Sequence, residues 1–371
     1  MAGRMTGLSR DFSIDLWHGS LTDQKRSGRC WIYASLNALR QRTAERCGIE
    51  DIQFSTNYVY YYDQLEKSKA FLDRMILLRD VPLAGQEVSD LLRQPISSVG
   101  QWCYFAMLAE KYGLVPLSAM PDTSACADGT KLTFMLIGRL RAAAQEMRTS
   151  KNVAETKEKT LTDIAALLQE SLGTPPDQFL WNGAECTPLR FLQSFCGVNF
   201  QDYVTLIHHP SDRWPVNRAY HEELEPDKRN SCLTLLSVDM ETMKALALRQ
   251  LQGGEQVVIG CDVRHSGSRA AGELSVEAYG APVLSKADAI RYREINACHV
   301  MSLDGVEPGE DRWRVLDSHG LETGPDGHYV MTGRWFEEYV LSAVIKKEYL
   351  PPALREVLAK PAVYMPKTER F

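Results

Sequence analysis

The stretch Asp23-Gln24-Lys25-Arg26-Ser27-Gly28-Arg29-Cys30-Trp31 puts a cysteine where a helical pattern begins, with a glutamine upstream and a glycine close before it. A thiol at a helix N-terminus feels the positive end of the helix dipole, which lowers its pKa and raises the thiolate fraction. A nearby carboxamide supplies N–H donors suited to a developing oxyanion. A cysteine alone means little, because most buried cysteines are inert apolar residues. A nucleophilic role needs a base, and the base needs a partner that orients it. His299 lies in Ala297-Cys298-His299-Val300-Met301-Ser302-Leu303, a strand pattern that places His299, Met301 and Leu303 on one face. Asp317 ends the next strand pattern, residues 313–317, and adjacent strands would bring it against the imidazole. Spacing alone does not separate this arrangement from a histidine satisfied in a core. Cys298 would point to the opposite face from His299, in a packing role.

The elements that must position these residues divide the chain in two. From Trp31 onward, Ile32, Leu36 and Leu39 recur at helical spacing. Residues 56–78, 101–112, 132–147 and 149–172 read as further helices, the last two forming a helical arm. Residues 240–251 form another, with Ser237 as its expected N-cap and Gly253-Gly254 as its end. Residues 256–263, 298–305, 313–317 and 328–332 read as strands separated by turn residues. A helical lobe therefore precedes a strand-rich lobe, which makes the fold class α+β.

Composition removes several alternatives. The 371 residues are 44% hydrophobic and 24% charged, ordinary for a globular protein with a sizeable core. The net charge of −6 gives no basic field for nucleic acid. Apolar runs such as Cys232-Leu233-Thr234-Leu235-Leu236 are too short to span a bilayer, and residues 1–10 have no apolar core of a secretory signal. Nine cysteines, none in C-x-x-C spacing, fit reduced thiols in the cytoplasm better than a disulfide frame or a zinc site.

Gln24 followed by Ser27-Gly28-Arg29-Cys30-Trp31 resembles the nucleophile segment of papain-like cysteine peptidases of the bleomycin hydrolase and aminopeptidase C family. Similar blocks follow at Tyr61-Tyr62-Asp63-Gln64-Leu65-Glu66-Lys67, Gly100-Gln101-Trp102 and Glu110-Lys111-Tyr112-Gly113-Leu114-Val115-Pro116. Later come Gly260-Cys261-Asp262-Val263 and Lys346-Lys347-Glu348-Tyr349-Leu350-Pro351, so the likeness spans most of the chain. It implies a papain-like catalytic domain over 1–371. The helical lobe would cover about 1–195 with the arm near 132–172, the barrel-like lobe about 196–360, and the tail 361–371. The resemblance makes Cys30 the nucleophile, His299 the base, and Gln24 the oxyanion donor together with the Cys30 N–H. Asp317 takes the place of the family's orienting asparagine. Gly28, Trp31 and Phe371 are expected at the substrate. The family uses no metal or organic cofactor, acts on short peptides or peptide-like amides, and forms a hexamer. The N-terminal segment and the region between Cys261 and His299, which help build that hexamer, are abbreviated here.

Two departures stand out. Asp317-Ser318-His319-Gly320 replaces the family's Asn-Ser-Trp-Gly, so a carboxylate takes over the orienting role and His319 would shield that contact less well than an indole. The tail ends Lys367-Thr368-Glu369-Arg370-Phe371, shorter and more polar than the family's apolar ending, whose carboxylate binds the substrate amine. Three readings stay open on sequence: a cysteine aminopeptidase, a relative that processes one biosynthetic peptide or peptide natural product by hydrolysis or acyl transfer, and a catalytically silent binding protein.

Overall fold

Helices fill the first half of the chain because apolar residues recur there every three or four positions. The computed structural model describes residues 7–97, 100–210, 214–222, 234–265 and 269–365. Helix α1 covers Cys30–Cys47, α2 Thr56–Leu77, α3 Gln86–Arg93 and α4 Trp102–Tyr112. Helices α5, Thr130–Thr149, and α6, Val153–Leu172, follow. A single turn, α7, Pro188–Arg190, runs into a π-helical stretch, Phe191–Cys196. The pattern read as one helix from 149 to 172 starts only at Val153, because Asn152 caps α6 by accepting the Glu155 N–H at 3.3 Å.

The α5–α6 arm is docked along its length. Leu136, Leu140 and Met147 of α5 and Ile164, Leu168 and Leu172 of α6 are buried in the cluster that holds α1, α2 and α4. Burial of a Leu or Ile side chain contributes about 1.5–3 kcal/mol, so the arm is fixed by its apolar face while Lys and Glu stay outside.

The second half builds a large mixed sheet. Its strands are β1 Ile14–Asp15, β4 Tyr203–Ile207, β5 Arg218–Glu222, β6 Thr234–Ser237, β7 Val257–Cys261, β8 Glu273–Leu274, β9 His299–Glu307, β10 Arg312–Leu316, β11 His328–Thr332, β12 Val340–Lys346 and β13 Val363–Met365. The order is β13-β5-β6-β4-β12-β7-β9-β10-β11-β8, with β1 added on β9. A separate hairpin joins β2, Phe179–Trp181, to β3, Ala184–Cys186. Inward residues of β7, β9, β10, β11 and β12 form the second core together with helix α8, Met240–Gln252. Asp239, not the expected Ser237, caps α8 by accepting the Thr242 N–H at 2.7 Å. Ser237 instead closes β6 and donates to the Trp214 carbonyl at 3.3 Å.

Helix α1 lies between the two cores. Its Trp31, Ile32 and Leu36 belong to the helical cluster, while Ser302 of β9 donates to the Ala34 carbonyl at 3.1 Å. That contact sets the start of α1 beside the start of β9.

Candidate active site

Four segments converge where α1 and β9 begin. The first is the loop from Asp23 to Ser27, which the backbone ties to the fourth. Gln24 N–H donates to the Ser318 carbonyl at 2.7 Å, and Gly320 N–H to the Thr22 carbonyl at 3.0 Å. Gly28 follows at φ 67°, a left-handed turn suited to glycine, with open space where a Cβ would stand. Arg29, fully buried, then anchors the helix start: Nη1 donates to Asn57 Oδ1 at 2.8 Å, and the guanidinium lies 3.9 Å from the centre of the Tyr60 ring.

Cys30 opens α1 without a side-chain cap. Burial pushes its thiol up, but the hydrogen bond and charge of His299 and the backbone N–H groups of Val300 and Trp31 overcome this and hold it below the ordinary thiol value. His299 opens β9, and its Nε2 lies 2.8 Å from Asp317 Oδ1. Burial pushes the imidazole down, yet Asp317 and Cys30 outweigh it and raise it to about 10. The arrangement favours a thiolate facing an imidazolium.

Asp317 follows β10 and is 1% exposed, so burial works against its charge. Hydrogen bonds from His299 and His319, with the charge of the His299 imidazolium, hold the carboxyl well below the usual carboxylate range. Both oxygens accept. Oδ1 takes His299 Nε2 at 2.8 Å and the Ser318 N–H at 2.8 Å, while Oδ2 takes His319 Nδ1 at 2.9 Å and Thr323 Oγ1 at 2.7 Å. A carboxamide would satisfy one side and turn its NH2 against donors on the other. The Asp317–His319 pair therefore works as a unit. His319 is itself only 8% exposed, as is His299, and their rings stand 5.5 Å apart.

The structure thus brings Gln24, Gly28, Cys30, His299 and Asp317 together. Trp31 is a correction to the expected substrate contact. Its ring is 2% exposed in the helical core, with Gly100 packed against it, because position 31 on α1 faces the lobe interior. Cys298 is a second correction. It precedes β9, is exposed, and lies 3.4 Å from Asp262 Oδ1 instead of packing in a core. Phe371 lies outside the described residues. The sequence reading gave no role to Ser318, although it lies in the Asp317-Ser318-His319-Gly320 segment, and missed Thr323; only the fold brings them to Gln24 and Asp317.

Among the described residues, two side-chain groups bring metal-ligating atoms within 4.8 Å of one another, His299–Asp317–His319 and His18–Asp304–His328. In the first, the carboxylate is already paired with a protonated imidazole. In the second, Asp304 faces Arg314 Nε at 3.0 Å and His328 Nε2 at 2.9 Å, and the guanidinium opposes a cation there.

The sequence from residue 4 to 367 matches the Peptidase C1-like family. The chain belongs to that family. It is 32% identical to aminopeptidase C of Lactococcus lactis subsp. cremoris over 96% of this chain and 87% of that protein. It is 33% identical to aminopeptidase E of Lactobacillus helveticus over 97% and 88%. The solved structure of PepW from Lactobacillus rhamnosis HN001 superposes with a TM-score of 0.89 at 32% identity, covering 96% of this chain and 87% of that one. The α+β fold of this family member is papain-like.

Proposed function

We propose that this chain is a cysteine aminopeptidase in which Cys30, His299, Asp317 and Gln24 hydrolyse the amide bonds of short peptides. The observation that carries the reading is the Cys30 thiol at the start of α1, hydrogen-bonded to an imidazole whose far nitrogen lies 2.8 Å from Asp317. The family and the aminopeptidase C and E relatives support the same activity.

The Cys30 thiolate attacks the scissile carbonyl carbon. The resulting oxyanion takes hydrogen bonds from the Gln24 Nε2–H and the Cys30 N–H. His299 gives its proton to the leaving amine, and the C–N bond breaks to leave a thioester. Water, deprotonated by His299, attacks that thioester and releases the acid and the thiolate. Asp317 holds the imidazole in orientation throughout and stabilises its charged form. The Phe371 carboxylate takes the substrate's α-ammonium, which confines cleavage to the first residue. The eight described cysteines are free, which supports a reducing, cytoplasmic setting. Among the described residues no helix is long and apolar enough to cross a membrane.

The test is alkylation of Cys30 by iodoacetamide across pH, read by mass spectrometry with His299→Ala alongside. Fast labelling well below pH 8, lost in the variant, is expected. Labelling no faster than at the other cysteines, and unchanged by the substitution, would favour a silent binding protein.

A further inference from the structure

The loop that carries Gln24 and the segment after Asp317 are joined by a closed ring of hydrogen bonds. His319 Nδ1–H donates to Asp317 Oδ2 at 2.9 Å, which leaves Nε2 as an acceptor. Gln24 Nε2 stands 3.4 Å from that bare nitrogen. On the other side, Gln24 Oε1 accepts from Ser318 Oγ at 2.9 Å. The backbone closes the ring, Gln24 N–H to the Ser318 carbonyl at 2.7 Å and Ser318 N–H to Asp317 Oδ1 at 2.8 Å. Gln24, Asp317, Ser318 and His319 are all buried.

A carboxamide has two orientations that differ by a half-turn and exchange its oxygen and nitrogen. Ser318 cannot choose between them, because a hydroxyl both donates and accepts. His319 can. In the neutral ring, whose Nδ1 proton is held by the Asp317 carboxylate, Nε2 accepts only. The half-turned amide would aim Oε1 at that lone pair, a repulsion that a dry site does not screen. Resting on the reading of Gln24 as oxyanion donor, we propose that His319 is a positioning residue that fixes the Gln24 amide with its NH2 presented to the reaction. One Nε2 hydrogen engages His319 and the other is left for the oxyanion. Asp317 then serves both halves of the chemistry: Oδ1 orients the base, and Oδ2, through His319, orients the oxyanion donor. An indole at this position offers only a donor and cannot do this, so the coupling depends on the histidine that replaces it.

The experiment compares wild type, His319→Ala, His319→Gln, Gln24→Ala and the Gln24→Ala/His319→Ala double variant on an aminoacyl coumarin amide. The rate of Cys30 alkylation, which forms no oxyanion, is measured in parallel. His319→Ala is expected to lower kcat by about 10- to 100-fold, within the loss produced by removing an oxyanion donor. KM and the alkylation rate change far less. In the Gln24→Ala background the same substitution costs less than about twofold, because the residue through which it acts is gone. Gln at position 319 keeps an N–H for Asp317 and an acceptor for Gln24, and recovers most of the rate. A peptide aldehyde, whose adduct oxygen occupies the same hole, binds more weakly to His319→Ala. Losses that multiply in the double variant, or alkylation that falls in step with kcat, overturn the proposal. If Gln24→Ala leaves kcat intact, or Cys30 is not the reactive thiol, the underlying reading of the site fails and the proposal falls with it.

Discussion

Asp317 accepts at both oxygens, and this sets its response to substitution. Asp317→Asn removes the charge that holds His299 at about 10 and places an NH2 against His319 Nδ1 and Thr323 Oγ1. The imidazole then titrates lower. The alkaline limb of kcat/KM is expected to move down by about one to three pH units, the usual effect of losing an adjacent opposite charge. An unmoved limb would show that the carboxylate does not set the imidazole. Stability follows the same linkage. The raised His299 contributes fully below its ordinary value of 6.5, and that contribution is lost as pH rises through about 10. The depressed Asp317 contributes above its ordinary 3.8 and loses that contribution as pH falls toward its folded value. Urea midpoints of the wild type should therefore fall in strong acid and near pH 10, and those of the variant should fall less steeply. At neutral pH the variant should be less stable by about 1–3 kcal/mol, the cost of buried groups left unpaired.

At the scale of the element, the start of α1 is held by what lies under it. A Cβ at Gly100 would stand 2.2 Å from Cε2 of Trp31, the residue after Cys30. Both are buried, so neither can yield freely. Gly100→Ala is expected to destabilise by about 1–3 kcal/mol through overpacking, and to slow Cys30 alkylation because the displaced ring carries the helix start with it. A urea midpoint that falls while alkylation holds would mean that the helix start is independent of Trp31. This support was only partly legible in the sequence. Helices with a regular apolar face, such as α2 and α4, were visible within a residue or two, the start of α1 within one, and β11 was placed without error, because periodicity and turn residues are local signals. The strands β4, β6, β12 and β13 were not read. The chain leaves β12, Val340–Lys346, directly from a helix without a turn residue, so no local signal marks where it starts. Strand β13 is set by pairing with β5, which no short window contains. The candidate site residues Cys30, His299, Asp317 and Gln24, which the structure brings together, were legible because motif and resemblance pointed to them. The role of His319 was not, because it depends on which atom of Asp317 faces which ring. Trp31 was misread because adjacency to the nucleophile says nothing about which way a helical residue points.

At the scale of the whole molecule, tail gating requires the end of the chain to reach a site built from its beginning and middle. The two lobes meet along α1 and β9, and Cys30 and His299 lie at one end of that seam. Strand β13 pairs in parallel with β5 at the edge of the sheet, six steps from β9. For the Phe371 carboxylate to hold the substrate amine, residues 366–371 must span from Met365 to the cleft, and six residues reach at most about 20 Å when extended. Removing residues 367–371 tests this directly, because β13 and its pairing stay in place. If the tail serves the site, the truncated chain loses its preference for free-amine substrates. Aminoacyl amides are then cleaved with a KM raised by about 10-fold or more, the loss of one charge-assisted contact of roughly 1.5–3 kcal/mol, while N-acetylated peptides become substrates. Iodoacetamide should still label Cys30 at the wild-type rate, since the thiolate–imidazolium pair does not involve the tail. An unchanged ratio of free to acetylated cleavage would remove Phe371 from the site and leave amine selection to side chains of the cleft.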